Sequence, residues 1–257
     1  MEREELTWYA PAVEHPQFNQ MLVVICPGGG YRFLSPRESE PVALAFAQMG
    51  CHACVVRYDT GTPGLGVRPL RQLAAAVRQA ADEAEWRGFD PQKIFLCGFS
   101  AGGHLAASLG VYWYDPAVTA LELGRAVRPR GMILGYPVVT MGEYAHPGSR
   151  MMLTGGNPGL INIFSLEMHV KYVTPPVFLW QTATDEKVPV QNSLMLVEAC
   201  LEAGVPCEYH LYPTGLHGMS LATEEVASPE ENLYPDPHIA GWLQQCQEWL
   251  LQYGADD

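Results

Sequence analysis

The sequence has no uninterrupted apolar run approaching the ~18 residues of a membrane-spanning helix, so no span is expected. Its opening residues, Met1-Glu2-Arg3-Glu4-Glu5, are acidic and lack the apolar stretch of a secretory signal, which predicts none. Positive charge is scarce: 15 Lys and Arg face 28 Asp and Glu, a formal net charge of −13. Such a surface repels phosphate backbones and anionic lipid, which argues against nucleic acid and membranes as partners. A neutral small molecule fits it better. Paired cysteines are missing too. The seven are odd in number and sit mostly inside apolar runs, as buried reduced thiols of a cytoplasmic protein do. Cys51-His52-Ala53-Cys54 matches C-x-x-C, yet it opens a strand-like run in which residues three apart face opposite sides. Core packing accounts for it better than a metal or redox role. No His, Cys, Asp and Glu set has metal-ligand spacing, so neither metal nor cofactor is expected. Repeats, low-complexity tracts and linkers are likewise absent, which predicts one domain over 1–257.

What is present alternates between two periodicities. The residues to Asn19 are polar and proline-punctuated, an arm or an early edge strand. Apolar runs at Met21–Cys26, Cys51–Tyr58, Lys93–Phe99, Gly131–Val139, Val177–Thr182 and Pro206–Tyr212 read as strands. Between them, Ser35 to about Met49, Leu70–Trp86, Val190–Ala203 and His238–Tyr253 read as helices, the first with Ser35 as N-cap and Pro36 at its first position. The last carries Trp242 and Trp249 on its apolar side. Asp115–Pro129 is expected to be irregular or short-helical, Ala222–Pro237 an acidic loop, and Met141–Val173 a small cap. The alternation predicts an α/β fold, a mostly parallel sheet of about seven or eight strands with helices on both faces.

The chain is organised around Lys93–Leu109, where a buried strand turns into a buried helix through Gly98-Phe99-Ser100-Ala101-Gly102, the G-x-S-x-G of a nucleophile elbow. So sharp a turn brings its flanks together, and a Cβ at Gly98 or Gly102 would collide. Ser100 is lifted out of the sheet, and the helix behind it points its N–H groups at the same place. A serine hydroxyl needs a base, and the base an orienting group. Asp185 follows the strand Val177–Thr182, and His217 follows Pro206–Tyr212. Ser100, Asp185, His217 is the chain order of a hydrolase triad, and in a parallel sheet those strand ends share one edge. Glu186 rivals Asp185 for the acidic role, and His104 inside the elbow helix reads as structural.

Early in the chain, Pro27-Gly28-Gly29-Gly30-Tyr31 follows a strand. A phosphate cradle would show G-x-G-x-x-G or a trailing Lys-Ser/Thr, and neither is there. Pure turn geometry and an oxyanion hole remain; the latter takes N–H donors from Gly29 or Gly30 together with Ala101. Tyr31, Tyr58 and Met141 are the candidates for shaping the acyl side, and Asp59, Glu143 and His146 lie in loops that reach the same edge.

These marks, with Arg57-Tyr58, Gly103-His104-Leu105-Ala106, Gly135-Tyr136-Pro137, Gly148-Ser149-Arg150, Val188-Pro189 and His217-Gly218, make the sequence similar to the α/β-hydrolase superfamily. More narrowly it resembles the acetyl-esterase and acetylxylan-esterase-like branch. The likeness runs from Val23 to Leu250. It departs where relatives carry His before the three glycines and His four residues before the acid; here stand Pro27 and Gln181.

The resemblance implies a serine carboxylesterase acting through an acyl-enzyme on short acyl esters, acetyl esters of a sugar or oligosaccharide foremost. Two other readings stay open: a peptidase or amidase of the same fold, and a binding module that has lost turnover. A homodimer through an edge strand or the C-terminal helix is compatible with the pattern.

Overall fold

Burial on both faces explains why the central strands are continuous apolar runs rather than alternating ones. The structure, a computed structural model, describes residues 4–120 and 128–255; part of the segment expected to be irregular over Asp115–Pro129 lies outside the described residues. In chain order the elements are β1 (Leu6–Tyr9), β2 (Leu22–Cys26), α1 (Glu40–Met49), β3 (His52–Val56), α2 (Arg68–Asp82), α3 (Ala84–Arg87), β4 (Ile94–Phe99) and α4 (Ser100–Tyr112). They continue with α5 (Pro116–Thr119), β5 (Gly131–Gly135), α6 (Pro147–Thr154), α7 (Pro158–Ile163), β6 (Val177–Thr182), α8 (Gln191–Glu202), β7 (Cys207–Tyr212), α9 (Pro237–Ala240) and α10 (Trp242–Tyr253). The seven strands form one sheet in the order β1-β3-β2-β4-β5-β6-β7. Only β1, the N-terminal arm, runs antiparallel, pairing with β3. Every other pair is parallel, so the C-terminal ends of β2, β4, β5, β6 and β7 open onto one edge.

Period-two alternation sorts each strand between two cores. Leu22, Val24 and Cys26 of β2 face a cluster with Leu70 and Leu73 of α2 and Leu105 of α4. Val23 and Ile25 face the other side, against Phe46 of α1 and Trp242 and Trp249 of α10. Cys51 and Cys54 fall on opposite sides of the sheet, as their spacing implies. Burial pushes the Cys51 thiol up to about 12 and the Cys54 thiol higher still, so both stay protonated. Each fully buried Leu, Ile, Val or Phe contributes about 1.5–3 kcal/mol relative to exposure. No helix among the described residues is long and apolar enough to cross a membrane.

Two expected elements are shorter than the sequence pattern suggests. The helix read from Ser35 to about Met49 is split: its start is a 3₁₀ turn, Pro36–Glu38, and after a break at Ser39 the rest is α1, ended at Gly50. Pro41 has no N–H to carry a hydrogen-bond ladder across that break, and the Arg37 carbonyl accepts the Ser220 hydroxyl instead. The strand read as Gly131–Val139 stops at Gly135, because Tyr136 takes a left-handed φ of 36°. Beyond it the Val138 N–H donates to the Ser100 carbonyl, so the chain crosses over the elbow instead of extending the sheet.

The tightest constraint lies where β4 meets α4. A Cβ on Gly102 would lie 2.0 Å from the Cys26 carbonyl oxygen, and one on Gly98 2.3 Å from that of Gly102. Backbone cannot yield as a side-chain tip can. Gly102→Ala should cost about 3 kcal/mol or more, or abolish soluble folding. Gly88→Ala, at a φ of 89° with open space around it, should cost about 1 kcal/mol. Urea midpoints of the two variants check the contrast.

Candidate active site

Ser100 stands at the β4–α4 junction with a φ of 52°, a region that side-chain-bearing residues rarely occupy. The strain is held by the close approach just described. It aims the hydroxyl away from the sheet while the first turn of α4, whose N–H groups have no intrahelical acceptor, begins directly behind it.

The loops after β6 and β7 bring the other two residues to the same point. His217 Nε2 lies 2.8 Å from Ser100 Oγ, and His217 Nδ1 lies 2.7 Å from Asp185 Oδ2. With Nδ1–H donating to the carboxylate, Nε2 is the acceptor for the serine hydroxyl. Asp185 is buried and fully engaged: Oδ1 accepts the N–H groups of Lys187 and Val188 at 3.0 and 2.9 Å, and Oδ2 also accepts Gln181 Nε2 at 3.3 Å. Glu186 is exposed and makes none of these contacts, which separates the two rivals. Gln181, one of the two departures from the related pattern, lies fully buried beneath the acid. Its amide also donates to the Val188 carbonyl, and its oxygen accepts the Ser193 hydroxyl at 2.5 Å. That network fastens the Asp185 loop to β6 and α8.

Across the cleft, the three glycines are not equivalent. The Gly28 N–H donates to the buried Glu38 carboxylate at 2.8 Å. The N–H groups of Gly29 and Gly30, at φ of 122° and 63°, have no acceptor among the described residues. Bare donors beside a serine hydroxyl, with Ala101 N–H in the first turn of α4, have the composition of an oxyanion site.

Residues 23–221 match the family model for the alpha/beta hydrolase fold. The chain belongs to the α/β-hydrolase fold family. It is 38% identical over 212 residues to endo-1,4-beta-xylanase B of Butyrivibrio fibrisolvens, covering 80% of this chain and 33% of that protein. It is 31% identical over 209 residues to an acetylxylan esterase of Xylanibacter ruminicola, covering 78% and 41% respectively. It thus spans well under half the length of either relative. Among solved structures, an acetyl ester-xyloside bifunctional hydrolase from Caldicellulosiruptor lactoaceticus superposes with a TM-score of 0.81 at 33% identity, over 97% of this chain and 88% of that one. A carboxylesterase from Lactobacillus plantarum gives 0.84 at 31%, over 98% and 94%.

In this α/β-hydrolase the cleft over Ser100 and His217 measures about 730 Å³, and its walls include Phe33, Arg37, His146, Lys187, Glu230 and Glu231. His146, expected only from its loop, does face it. Asp59 and Glu143 do not; Asp59 is engaged by Arg68 and Gln72. The expectation that Tyr31, Tyr58 and Met141 shape the acyl side is corrected, because all three are buried beneath the loops. Tyr31 donates its hydroxyl to His104 Nδ1 at 2.8 Å, and the Tyr58 hydroxyl holds the Pro27 carbonyl. The Met141 N–H donates to the Ser165 hydroxyl. They brace the site from behind, and an aromatic in a glycine-rich loop gives no sign from sequence of which way it turns. Glu38, Arg37 and Phe33 carry no sign in the sequence of a part in the site, and Tyr136 stands there only as a mark of the resemblance; Glu38 in particular reads as an ordinary first-turn acid.

His104 is part of the bracing and does not touch Ser100. Its Nε2–H donates to the Phe164 carbonyl at 2.9 Å, so Nδ1 is left to accept from Tyr31. Burial pushes its pKa down from 6.5 to about 4. The unfolded chain therefore binds this proton more readily, and stability present above pH 6.5 is lost as pH falls through the window down to about 4. Urea midpoints measured across that window should drop in the native protein, and the drop should flatten in His104→Gln.

Proposed function

We propose that this chain is a serine carboxylesterase that cleaves short acyl esters, acetyl esters of carbohydrates foremost, through an acyl-enzyme on Ser100. The observation that carries the reading is the continuous hydrogen-bonded line from Asp185 through His217 to Ser100, facing a cleft beside the bare N–H groups of Gly29 and Gly30. In this reading Ser100 Oγ attacks the ester carbonyl carbon as His217 Nε2 takes its proton. Asp185 fixes the imidazole tautomer and balances the charge that forms on it. The oxyanion receives hydrogen bonds from Ala101 and from Gly29 or Gly30, each worth about 3–4 kcal/mol in the transition state. Collapse breaks the ester C–O bond, and His217 returns the proton to the leaving alcohol. Water, deprotonated by the same histidine, then releases the acid and restores Ser100.

The substrate reading rests on the relatives and on the walls of the cleft. One similar protein is named an acetylxylan esterase and another an acetyl ester-xyloside bifunctional hydrolase. Phe33 is 59% exposed and offers a flat apolar face, while Lys187, Glu230 and Glu231 supply partners for hydroxyl groups. A sugar ring presents both kinds of surface. The segment 141–173 serves as a small cap that lends His146, Pro147 and Gly148 to the wall close to Gly30, leaving room for a short acyl group. The free, mostly buried thiols suit a reducing compartment, the cytoplasm.

A chain-length series of p-nitrophenyl esters, run beside acetylated xylo-oligosaccharide and the matching anilide, tests this. Acetate should be preferred and also released from the sugar, and Ser100→Ala should lose on the order of 10⁶ in kcat. Preference for long chains with no sugar deacetylation would make it a general esterase. Anilide cleavage would favour the amidase reading, and no turnover at all the binding module.

A further inference from the structure

The turn Pro36–Glu38 touches both halves of the site. Glu38 is 4% exposed and makes no salt bridge among the described residues. Its two oxygens instead accept the Gly28 N–H at 2.8 Å and the Tyr136 hydroxyl at 2.7 Å. The Tyr136 hydroxyl oxygen in turn accepts the Ser220 N–H at 2.9 Å, and the ring stands edge-on to His217 with centroids 4.9 Å apart. Next to it, Arg37 spends its guanidinium on the carbonyls of Gly218 and Val226, at 2.8 and 2.6 Å, and its own carbonyl accepts the Ser220 hydroxyl at 2.7 Å. A buried carboxylate without a cation is costly to keep. A merely structural turn would be better served by a neutral side chain. What this carboxylate holds is the donor immediately before the two bare ones.

We propose that Glu38 is a positioning residue: its carboxylate fixes the Gly28 peptide so that the Gly29 and Gly30 N–H groups face the oxyanion side, and through Tyr136 it sets that loop's distance from His217. Pro27 offers no N–H, so the loop is anchored at Gly28 from below. Both oxygens of Glu38 must accept, since Gly28 N–H and Tyr136 O–H each donate. Gln at this position keeps the volume and one acceptor but turns a donor toward one of the two partners.

This inference rests on the esterase reading only in its kinetic arm, and the test separates the two. In Glu38→Gln, hydrogen exchange over residues 27–34 should accelerate while the β4–α4 region keeps its protection and the melting temperature changes little. With p-nitrophenyl acetate, kcat should fall about 10–100-fold with KM nearly unchanged, less than the loss of a whole oxyanion donor. Tyr136→Phe keeps the Gly28 anchor and cuts the link to the His217 loop, so it should show a smaller rise in exchange and a several-fold loss of kcat; it also decides the matter if Glu38→Gln does not fold. Unchanged exchange over 27–34 in a folded variant, or kcat within twofold of the native protein, overturns the proposal. If the native protein cleaves no ester, the esterase reading falls and the exchange arm still decides the role of Glu38.

Discussion

The approach of α4 to the ends of β2 and β4 leaves no space for a Cβ at Gly98 or Gly102. Everything in the cleft depends on that contact. It forces Ser100 into a left-handed backbone and projects its hydroxyl past the sheet edge. It also brings the first turn of the helix to within reach of the same point. Parallel strand order then does the rest, since β6 lies beside β5 and β7 beside β6, and their loops deliver Asp185 and His217 to the side of Ser100. A topology with antiparallel central strands would have put those loops at opposite ends.

Much of this was legible in the residues because it follows from short-range sterics and periodicity. The elbow, the strand runs and the order serine, acid, histidine are each local patterns, and Val177–Thr182 matches β6 at both ends. Misjudged parts were those where side-chain direction or a competing hydrogen bond decides. Tyr31, Tyr58 and Met141 lie in the right loops but point inward, where Tyr31 and Tyr58 have acceptors waiting in His104 and Pro27. A helix continuous from Ser35 is interrupted by Pro41, which has no N–H for the Arg37 carbonyl four residues before it. The strand drawn through Val139 ignored the turn at Tyr136, which an apolar run does not reveal.

Gln181 and Pro27 each sit in a complete local set of hydrogen bonds. Gln181 donates to both Asp185 and the Val188 carbonyl, so a neutral amide fastens the acid's loop. Beneath Pro27, the Tyr58 hydroxyl takes the carbonyl and Glu38 takes the next N–H. Buried polar groups of this sort are costly when half-satisfied and rigid when complete. Here they are complete, which suits a site whose donors must be in place before charge develops.

The central claim is that Ser100 carries the acyl group between the two half-reactions. Rapid acid quench during turnover of an acetyl ester, followed by peptide mass analysis, tests it most directly. The account predicts one acetyl group on the peptide containing Ser100, appearing within the first turnover and lost as acetate is released, and absent in Ser100→Ala. Sustained turnover with no acetylated peptide, or with the acetyl group on another residue, would contradict it.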